Sequence, residues 1–209
     1  AARALCPVRI DKNPLGETYA HVEGVRIRIT GDASLASVPP SSLGWLPKSN
    51  KQGESSHAPE MHIHAFSPLE IWQGAATANL DLPSYVRRLK DAGLGTLPGT
   101  AAEILDDEVR AIICPDKINT AQWLDVMRAS HGAGFKTTAT IMYGHVEAPE
   151  HWARHLIRIR DLQSETGGFT EFVPLPFVHM EAPLWRKGLA RSGPTWRESM
   201  LMHAVARLA

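Results

Sequence analysis

The sequence predicts an α/β protein built on a parallel sheet, and two observations carry this prediction. From about residue 57 onward, short strand-like runs alternate with stretches of helical hydrophobic periodicity. The strand-like runs begin about 30 to 40 residues apart, which is the length of one strand-helix unit. They are MHIHAF (61–66), LGTLP (94–98), KTTATIMYG (136–144) and GFTEFVPL (168–175). Such units form either a parallel sheet curled into a (β/α) barrel or an open doubly wound sheet.

Three amphipathic helices are predicted between and after these strands. In LPSYVRRLKDAG, Pro83 suits the first turn and Gly93 can close the C-terminus. In NTAQWLDVMRASHGAG, Asn119 or Thr120 can cap the N-terminus. The third, PEHWARHLIRIRDLQ, has a predicted buried stripe of Trp152, Leu156, Ile159 and either Leu162 or Gln163. No G-x-G-x-x-G or Walker pattern follows a strand, which disfavours dinucleotide and nucleoside triphosphate binding.

Composition favours a globular protein that acts on small molecules. Of the 209 residues, 44% are hydrophobic and 21% are charged, which is enough apolar material for one large core. Lys plus Arg and Asp plus Glu both number 22, so no net field draws the chain to nucleic acid or to anionic membranes. No apolar run is long enough to span a bilayer and no signal-peptide pattern is present, so we expect a cytoplasmic protein.

The chain changes character near residue 57. Residues 1–57 carry scattered Gly, Pro and Ser and one strand-like run, VRIRIT (25–30). We predict an irregular N-terminal extension there. Residues 58–209 carry all the predicted strand-helix units and form the second predicted region.

Strand alternation predicts which side chains face a site. If Ile63 and Ala65 face the helices, then His62 and His64 point the opposite way, into a barrel lumen or toward its mouth. The same alternation directs three residues of a later strand inward: Thr138, Thr140 and Met142. Inward polar residues on two strands indicate a binding site.

Groups that can hold a ligand also follow the strands. In α/β barrels the chemistry lies at the carboxyl ends of the strands, in the loops that follow them. The residues predicted there are Ser67, Glu70, Thr100, Glu103, His145, Glu147, His179 and Glu181. The sequence therefore predicts a ligand site at this edge of the sheet.

One interpretation of the histidines is a metal-dependent hydrolase, in which an H-x-H pair and two later histidines bind zinc. The four ligands would be His62, His64, His145 and His179. Against this, the pair follows about 60 residues of other sequence, and no later strand supplies the Asp that such hydrolases use. The other interpretation is that the pair is hydrogen-bonded and lines the lumen without metal.

Five longer motifs resemble those of one enzyme family. They are HIHAFSPLEIWQGA, GLGTLPGTAAEILDDEVR, ICPDKINTAQW, TTATIMYGHVEAPEHW and TGGFTEFVPLPFVHMEAP, and they occur in this order. Over about residues 58–209 the chain resembles the radical SAM enzymes of deazaflavin biosynthesis, and among them the second component of FO synthase. Radical SAM enzymes of the futalosine pathway to menaquinone share part of the pattern and are the second interpretation.

The resemblance implies a fold and a reaction. The implied fold is the central part of a TIM-type radical SAM barrel with parallel strands. The implied reaction uses S-adenosylmethionine and a four-iron four-sulfur cluster to join the 4-hydroxybenzyl part of L-tyrosine to 5-amino-6-(D-ribitylamino)uracil. The first FO synthase component is the partner protein that the resemblance suggests.

The resemblance also implies roles for individual residues. Cofactor contacts are implied for Glu103, Thr140, Met142, Gly144, Glu147, Pro174 and Phe177. Substrate contacts are implied for His62, His64, Ser67, Glu70, Thr100, His145 and His179. The segment TIMYGHVE keeps Gly144 and Glu147 of the family pattern G-x-I-x-G-x-x-E, but has Thr140 and Met142 in place of Gly and Ile. Glu103 and Glu147 also suit the start of a helix. No catalytic residue and no metal ligand is assigned.

The cluster-binding segment is where the chain departs from the family. The family binds its cluster through C-x-x-x-C-x-x-C, whereas this chain has two cysteines, Cys6 and Cys114, and no such motif. A four-iron cluster needs at least three protein thiolates. We therefore expect a fragment or an altered copy that is inactive alone.

Overall fold

The structure is a computed structural model that describes residues 62–209, together with the backbone of three short strands nearer the N-terminus. These are β1 (Arg9–Lys12), β2 (Thr18–Val22) and β3 (Val25–Ile29), which form an antiparallel sheet in the order β1-β2-β3. β3 confirms the strand predicted at 25–30. The predicted boundary near residue 57, Met61 and Cys6 lie outside the described residues, so the division into an extension and a second region stays a prediction.

A parallel sheet with helices packed on it forms the rest of the described chain. In chain order its elements are α1 (Pro68–Thr77), α2 (Leu82–Asp91), β4 (Thr96–Leu97), α3 (Asp107–Ile113), α4 (Thr120–Gly132), β5 (Lys136–Tyr143), α5 (Pro149–Thr166), β6 (Phe169–Pro176), α6 (Pro183–Arg186) and α7 (Trp196–Leu208). β5 lies between β4 and β6 and is parallel to both. His64 adds a parallel bridge to Thr96. From this bridge through β4, β5 and β6, each strand therefore lies next to the one that follows it in the chain.

The predicted parallel α/β fold is confirmed at this level. Three of the four predicted strands are present as β4, β5 and β6, although LGTLP contributes only two strand residues. In MHIHAF the described residues form a single bridge, from His64 to Thr96, and no strand. The described part of the sheet has three named strands and is not closed. A TIM-type barrel is therefore not shown, and the fold that is shown is a mixed α/β arrangement with a small parallel sheet.

The predicted helices begin and end where local chemistry favours it. Asn119 caps α4 and forms a reciprocal capping box with Gln122, which satisfies two backbone donors of the first turn. The Asp81 side chain caps α2 and Pro83 lies in its first turn. Gly167 closes α5 with φ of +60°, a left-handed conformation that costs glycine little.

Helix α1 differs from the prediction, which has a strand followed by a loop at Ser67. The Ser67 side chain caps α1 and Glu70 completes a capping box, with Pro68 at the first helical position. A Ser-Pro pair suits a helix start as well as a loop. Ile71 and Ala75 then bury the inner side of the helix.

The core lies between the helices and one face of the sheet. Val86, Leu97, Trp123, Ala139 and Ile141 all have 0% relative exposure. Full burial of each large apolar side chain stabilises the fold by about 1.5–3 kcal/mol. In α5, Trp152, Leu156, Ile159 and Leu162 are all buried, whereas Gln163 is exposed. The predicted stripe is thus confirmed with Leu162 as its last member.

Large apolar side chains remain exposed on the β6 and α7 side of the molecule. They are Leu175, Val178, Met180, Trp196, Met200, Leu201, Val205 and Leu208. In the described sheet β6 pairs with β5 alone, so its other edge has unpaired backbone groups. Among the described residues, no helix combines the length and the apolar character needed to cross a membrane.

Candidate active site

Polar side chains line the face of the sheet that is opposite to the helices, which we call the inner face. β5 and β6 pair Thr138 with Glu171, Thr140 with Val173 and Met142 with Leu175, and these residues alternate with core residues. The inner face therefore carries His62, His64, Thr96, Thr138, Thr140, Met142, Glu171, Val173 and Leu175. The orientation predicted for the histidines and for the three β5 residues agrees with this arrangement.

His62 and His64 share one hydrogen-bond partner. His62 Nε2 lies 2.8 Å and His64 Nδ1 lies 2.7 Å from Thr96 Oγ1. Both histidines are exposed, whereas the intervening Ile63 packs against the core. The pair is thus held in place by β4, while the second nitrogen of each ring has no hydrogen-bond partner among the described residues.

The loop after β4 lies across β5 and uses two of the inward threonines. Thr138 Oγ1 accepts from Gly99 N at 2.9 Å, and Thr140 Oγ1 donates to Gly99 O at 2.9 Å. A Cβ on Gly99 would stand 1.8 Å from Thr138 O. Only glycine allows this approach, and the Thr140 hydroxyl is committed to the loop backbone.

Arg110 holds the following segment, residues 101–106, and sequence reasoning missed it. Its guanidinium is 3% exposed and donates to the backbone carbonyls of Ala102 at 2.5 Å and of Ile118 at 3.0 Å from Nε. No carboxylate pairs with it in the described part of the chain. A buried arginine that donates to several carbonyls fixes a loop that has no regular structure of its own.

Glu103 lies in this segment in a strained conformation. Its φ is +41°, and that of Ala101 is +55°, a region that costs non-glycine residues about 1–3 kcal/mol. The carbonyl of Glu103 accepts from Met142 N at 2.8 Å, and its carboxylate lies 2.5 Å from Lys117 Nζ. The helix that follows is capped by Asp106, so Glu103 does not start it.

Glu147 closes the turn formed by residues 144–147, which we call the GHVE turn. Its side chain has no solvent exposure and accepts from Gly144 N at 2.5 Å, His145 N at 2.8 Å and Trp152 Nε1 at 2.9 Å. Burial raises the pKa of this carboxyl, but the His145 side chain and these donors outweigh burial and hold the pKa well below its usual range. The cap of α5 is Ala148, so Glu147 is not a helix cap.

His145 is buried inside the same turn. Its Nε2 donates to Met142 O at 2.9 Å, while Nδ1 lies 2.8 Å from the Val146 amide and 3.0 Å from Glu147 Oε2. The ring meets Phe177 edge-on with centroids 5.8 Å apart. With 2% exposure, this histidine positions its neighbours and does not present a nitrogen to solvent.

A second segment covers the GHVE turn from the C-terminal side. Gly144 has φ of +96°, and a Cβ there would stand 2.3 Å from Pro194 Cδ. Arg191 donates its backbone N–H to His145 O at 3.1 Å, and its guanidinium lies 3.7 Å from Glu147. Arg191 was not predicted, because only the fold brings it to the turn.

The remaining predicted residues have local partners. Ser67 Oγ donates to Glu70 Oε2 at 2.8 Å within the α1 capping box. Thr100 is exposed, and its carbonyl accepts from Trp123 Nε1 at 3.1 Å. The His179 ring packs against a tryptophan with centroids 4.8 Å apart. Phe177 N donates to Tyr143 O at 2.8 Å, and Pro174 lies half-buried on β6.

The four histidines of the hydrolase interpretation have separate environments. His62 and His64 share Thr96, His145 is enclosed in the GHVE turn, and His179 stacks on Trp185. Within the described residues, no group of three possible metal ligands contains any of the four. The geometry thus gives this interpretation no support.

One other group has the composition of a metal site, namely Asp106, Glu108 and His151, whose ligand atoms lie within 4.8 Å of one another. Arg154 Nη1 already lies 3.1 Å from Asp106 Oδ2. His151 Nδ1 accepts from Ala148 N at 2.9 Å, so the ring proton is on Nε2, the nitrogen that faces Glu108 at 3.8 Å. The group is therefore an ion-pair network that ties the start of α5 to α3.

The described residues do not fit a four-iron cluster. Cys114 is the one cysteine among them, and it is buried at 4% exposure. Burial raises the pKa of its thiol, which opposes the thiolate form that iron requires. The whole sequence adds only Cys6, so the three thiolates that a cluster needs are not present.

These features define an α/β protein whose parallel sheet carries polar groups on its inner face and at its C-terminal edge. No family model matches the chain. It is 50% identical over 153 residues to the 5-amino-6-(D-ribitylamino)uracil–L-tyrosine 4-hydroxyphenyl transferase of Methanothermobacter thermautotrophicus, covering 73% of this chain and 42% of that protein. It is 52% identical over 157 residues to the protein of that name from Methanospirillum hungatei, covering 75% and 43%.

A mycobacterial protein shows the same relationship. The FO synthase of Mycobacterium leprae is 50% identical over 153 residues, covering 73% of this chain and 18% of the longer protein. The predicted resemblance to the second component of FO synthase is thus confirmed, and these names favour the deazaflavin interpretation over the menaquinone one. The chain spans less than half the length of the relatives that it matches.

Proposed function

We propose that this chain is the central, substrate-binding part of an FO-synthase-type radical SAM transferase. The observation that carries the proposal is the 50% identity over 153 residues to a transferase named for its two substrates. The geometry supports it, because the inner face holds polar and apolar groups side by side as a site for a polar ring would require. L-Tyrosine and 5-amino-6-(D-ribitylamino)uracil are the substrates that we propose.

We propose that the parallel sheet and its helices form part of a TIM-type barrel. In such a barrel each strand pairs with the next strand in the chain, and the order from the His64 bridge through β4, β5 and β6 follows this rule. The unpaired edge of β6 and the exposed apolar residues of α7 lie where a further strand-helix unit would pack. The proposal accounts for both features.

We assign the substrate contacts to the exposed residues of the inner face. His62 and His64 are exposed, and each keeps one ring nitrogen without a partner among the described residues. Thr100 is exposed at the C-terminal edge. Ser67, Glu70 and His179 are predicted at the same edge. Ser67 and Glu70 hydrogen-bond each other and the His179 ring packs on Trp185, so we assign them structural roles in the protein without substrate.

S-Adenosylmethionine, when bound, supplies the radical precursor that the family uses. Met142, Phe177 and Pro174 are half-buried residues that could pack on an adenine ring, and Glu103 could accept from a ribose hydroxyl. Thr140 and Glu147 have a different proposed role, because their polar atoms are already hydrogen-bonded. They fix Gly99 and the GHVE turn, and Gly144 allows the turn to close.

The cluster is the part of the reaction that this chain does not provide. We propose that the 209 residues bind substrate but do not generate a radical alone, since two cysteines cannot supply three thiolates. Turnover would then depend on cysteines that these 209 residues do not contain. The first FO synthase component is the partner protein that we propose.

Anaerobic reconstitution tests this proposal. The purified chain is incubated with iron, sulfide, S-adenosylmethionine and a reductant, and 5′-deoxyadenosine is measured by chromatography. In parallel, binding of 5-amino-6-(D-ribitylamino)uracil is measured by calorimetry. We expect saturable binding without cluster-dependent 5′-deoxyadenosine. Cluster-dependent formation of 5′-deoxyadenosine by the chain alone would contradict the proposed division of roles, and absence of uracil binding would contradict the proposed substrate.

A further inference from the structure

The Thr96 hydroxyl stands between two imidazole rings. It lies 2.8 Å from His62 Nε2 and 2.7 Å from His64 Nδ1, and both distances are those of good hydrogen bonds. Thr96 Oγ1 has no other hydrogen bond among the described residues. Because a hydroxyl carries one proton, that proton goes to one ring, and the other ring donates to the hydroxyl oxygen.

This arrangement links the tautomers of the two rings. A neutral imidazole has one N–H and one acceptor nitrogen. If His62 Nε2 donates to Thr96, the hydroxyl donates to His64 Nδ1, and His64 carries its proton on Nε2. If the hydroxyl instead donates to His62, both rings carry their protons on Nδ1. In both states the outward nitrogens, His62 Nδ1 and His64 Nε2, offer one donor and one acceptor.

The outward nitrogens are open to a ligand. Both rings are exposed, and neither outward nitrogen has a partner among the described residues. The chain also makes room for His62, because a Cβ on Gly95 would stand 2.4 Å from its Cε1. The His62 ring therefore lies over Gly95, and the missing Cβ leaves space at its Cε1 and Nδ1.

We propose that Thr96 is a positioning residue that couples His62 to His64, so that the pair recognises the lactam edge of a pyrimidine ring. This inference rests on the proposed function and specifies which substrate the pair binds. A uracil ring presents an N–H beside a C=O, which is one donor next to one acceptor and complements the pair. The ammonium group of tyrosine only donates and its carboxylate only accepts, so neither group matches both nitrogens.

The coupling lets the same pair accept the lactam edge in either direction. When the protons shift together through Thr96, donor and acceptor exchange places without any movement of the rings. Two histidines without the linking hydroxyl would choose their tautomers independently. The mismatched combinations, with two donors or two acceptors, would then be populated and would bind the lactam poorly.

The test compares Thr96→Val with Thr96→Ser and with the control Thr170→Val. Thr170 is an exposed threonine on β6 whose hydroxyl donates to the Thr137 carbonyl at 3.2 Å and not to His62 or His64. Calorimetry measures the Kd of 5-amino-6-(D-ribitylamino)uracil and of tyrosine. We expect Thr96→Val to weaken uracil binding about tenfold and to leave tyrosine binding unchanged, while Thr96→Ser and Thr170→Val bind uracil as wild type does.

Long-range ¹H–¹⁵N spectra of the imidazoles supply a readout that does not depend on affinity. In wild type we expect His62 and His64 to show the same tautomer, and uracil to shift both rings together. In Thr96→Val the two rings should respond separately. Equal uracil affinity of wild type and Thr96→Val, or opposite tautomers in wild type, would overturn the inference alone. Failure of wild type to bind the uracil would overturn the proposed function with it.

Discussion

Two polar clusters, one level with the first residue of β5 and one directly after its last residue, differ in how much hydrogen-bonding capacity they keep. The His62, Thr96 and His64 cluster is exposed and leaves one nitrogen on each ring without a partner among the described residues. In the GHVE turn, Glu147 has three donors within 2.9 Å and no exposure. We therefore expect the first cluster to bind a ligand, whereas the second holds a backbone turn.

The difference follows from the surroundings of each cluster. The GHVE turn is covered by Pro194 and Arg191 and lies against Trp152, so its polar atoms must be satisfied inside the protein. The histidine pair lies on a face that no described element covers. The same residue type thus differs between the two clusters, because His62 and His64 are exposed whereas His145 is enclosed in the GHVE turn.

Among the variants that test this comparison, Glu147→Ala should reduce the stability of the protein most. The change leaves the amides of Gly144 and His145 and the indole N–H of Trp152 without an acceptor in a buried site. We expect the free energy of unfolding to fall by about 3–5 kcal/mol, measured by urea denaturation. Glu171→Ala is the matched control, because that carboxylate is exposed, and its effect should stay within about 0.5 kcal/mol. Similar losses for both variants would contradict a structural role for Glu147.

Acid should destabilise the protein through buried histidines. Burial, with a smaller contribution from Arg158, lowers the pKa of His155 to about 3, and burial with Lys136 lowers that of His131 to about 4. Both rings are neutral in the folded protein and protonate more easily when unfolded. Their contribution is thus complete above pH 6.5 and is lost as the pH falls from there toward 4 and 3.

Protonation of unfolded His155 alone should lower the free energy of unfolding by about 2 kcal/mol between pH 6.5 and pH 4.5, since the full slope of about 1.4 kcal/mol per pH unit is reached only below pH 6. Urea denaturation at several pH values measures this slope. In His155→Gln the free energy of unfolding should fall less over this pH range, by that same amount. Glu147 adds a further loss only below pH 4.5, where its unfolded carboxyl protonates. A slope that His155→Gln leaves unchanged would show that another group is responsible.

Gly99→Ala should reduce stability by about 2 kcal/mol, because the new Cβ would stand 1.8 Å from Thr138 O and the loop would have to leave β5. Gly132→Ala is the matched control, since a Cβ there meets nothing within 4 Å and alanine favours the helix. Thermal unfolding of the two variants measures the difference. Equal Tm values would mean that the loop is not held against β5 as described.

The smallest effect concerns the α1 cap. Ser67→Ala removes one half of the capping box and should lower the free energy of unfolding by about 1 kcal/mol. If Ser67 is only a cap, the Kd of 5-amino-6-(D-ribitylamino)uracil should stay within twofold of the wild-type value. A larger change in Kd would show that Ser67 also contacts substrate, as the family resemblance implies.

Periodicity and caps predicted much of the fold. The alternation in MHIHAF placed the histidines on the face away from the helices, and the Asn119 cap and the α5 stripe were identified from local sequence. The prediction of a loop at Ser67 is wrong, because a Ser-Pro pair and one capping glutamate start a helix there. A short segment with both strand and helix signals cannot be resolved without its tertiary neighbours.

Site residues were identified by type more readily than by role. The sequence points to the GHVE motif as a site. That the Glu147 carboxylate is fully hydrogen-bonded depends on Trp152, and its ion pair depends on Arg191, which is 44 residues further along the chain. Arg110 gave no local signal, because its partners are backbone carbonyls that only the folded loop brings together. Thr96 lies in a run interpreted as a strand, and only the pairing of His64 with Thr96 shows its link to both histidines.

The most direct test of the central claim is a calorimetric titration of 5-amino-6-(D-ribitylamino)uracil into the wild-type chain and into the His62→Ala/His64→Ala variant. Our account predicts saturable one-to-one binding by wild type and at least a tenfold weaker Kd for the double variant. Circular dichroism should show that the variant keeps its fold, because both side chains are exposed. Binding of equal strength by both proteins, or no binding by wild type, would contradict the claim that the inner face of this sheet is a substrate site.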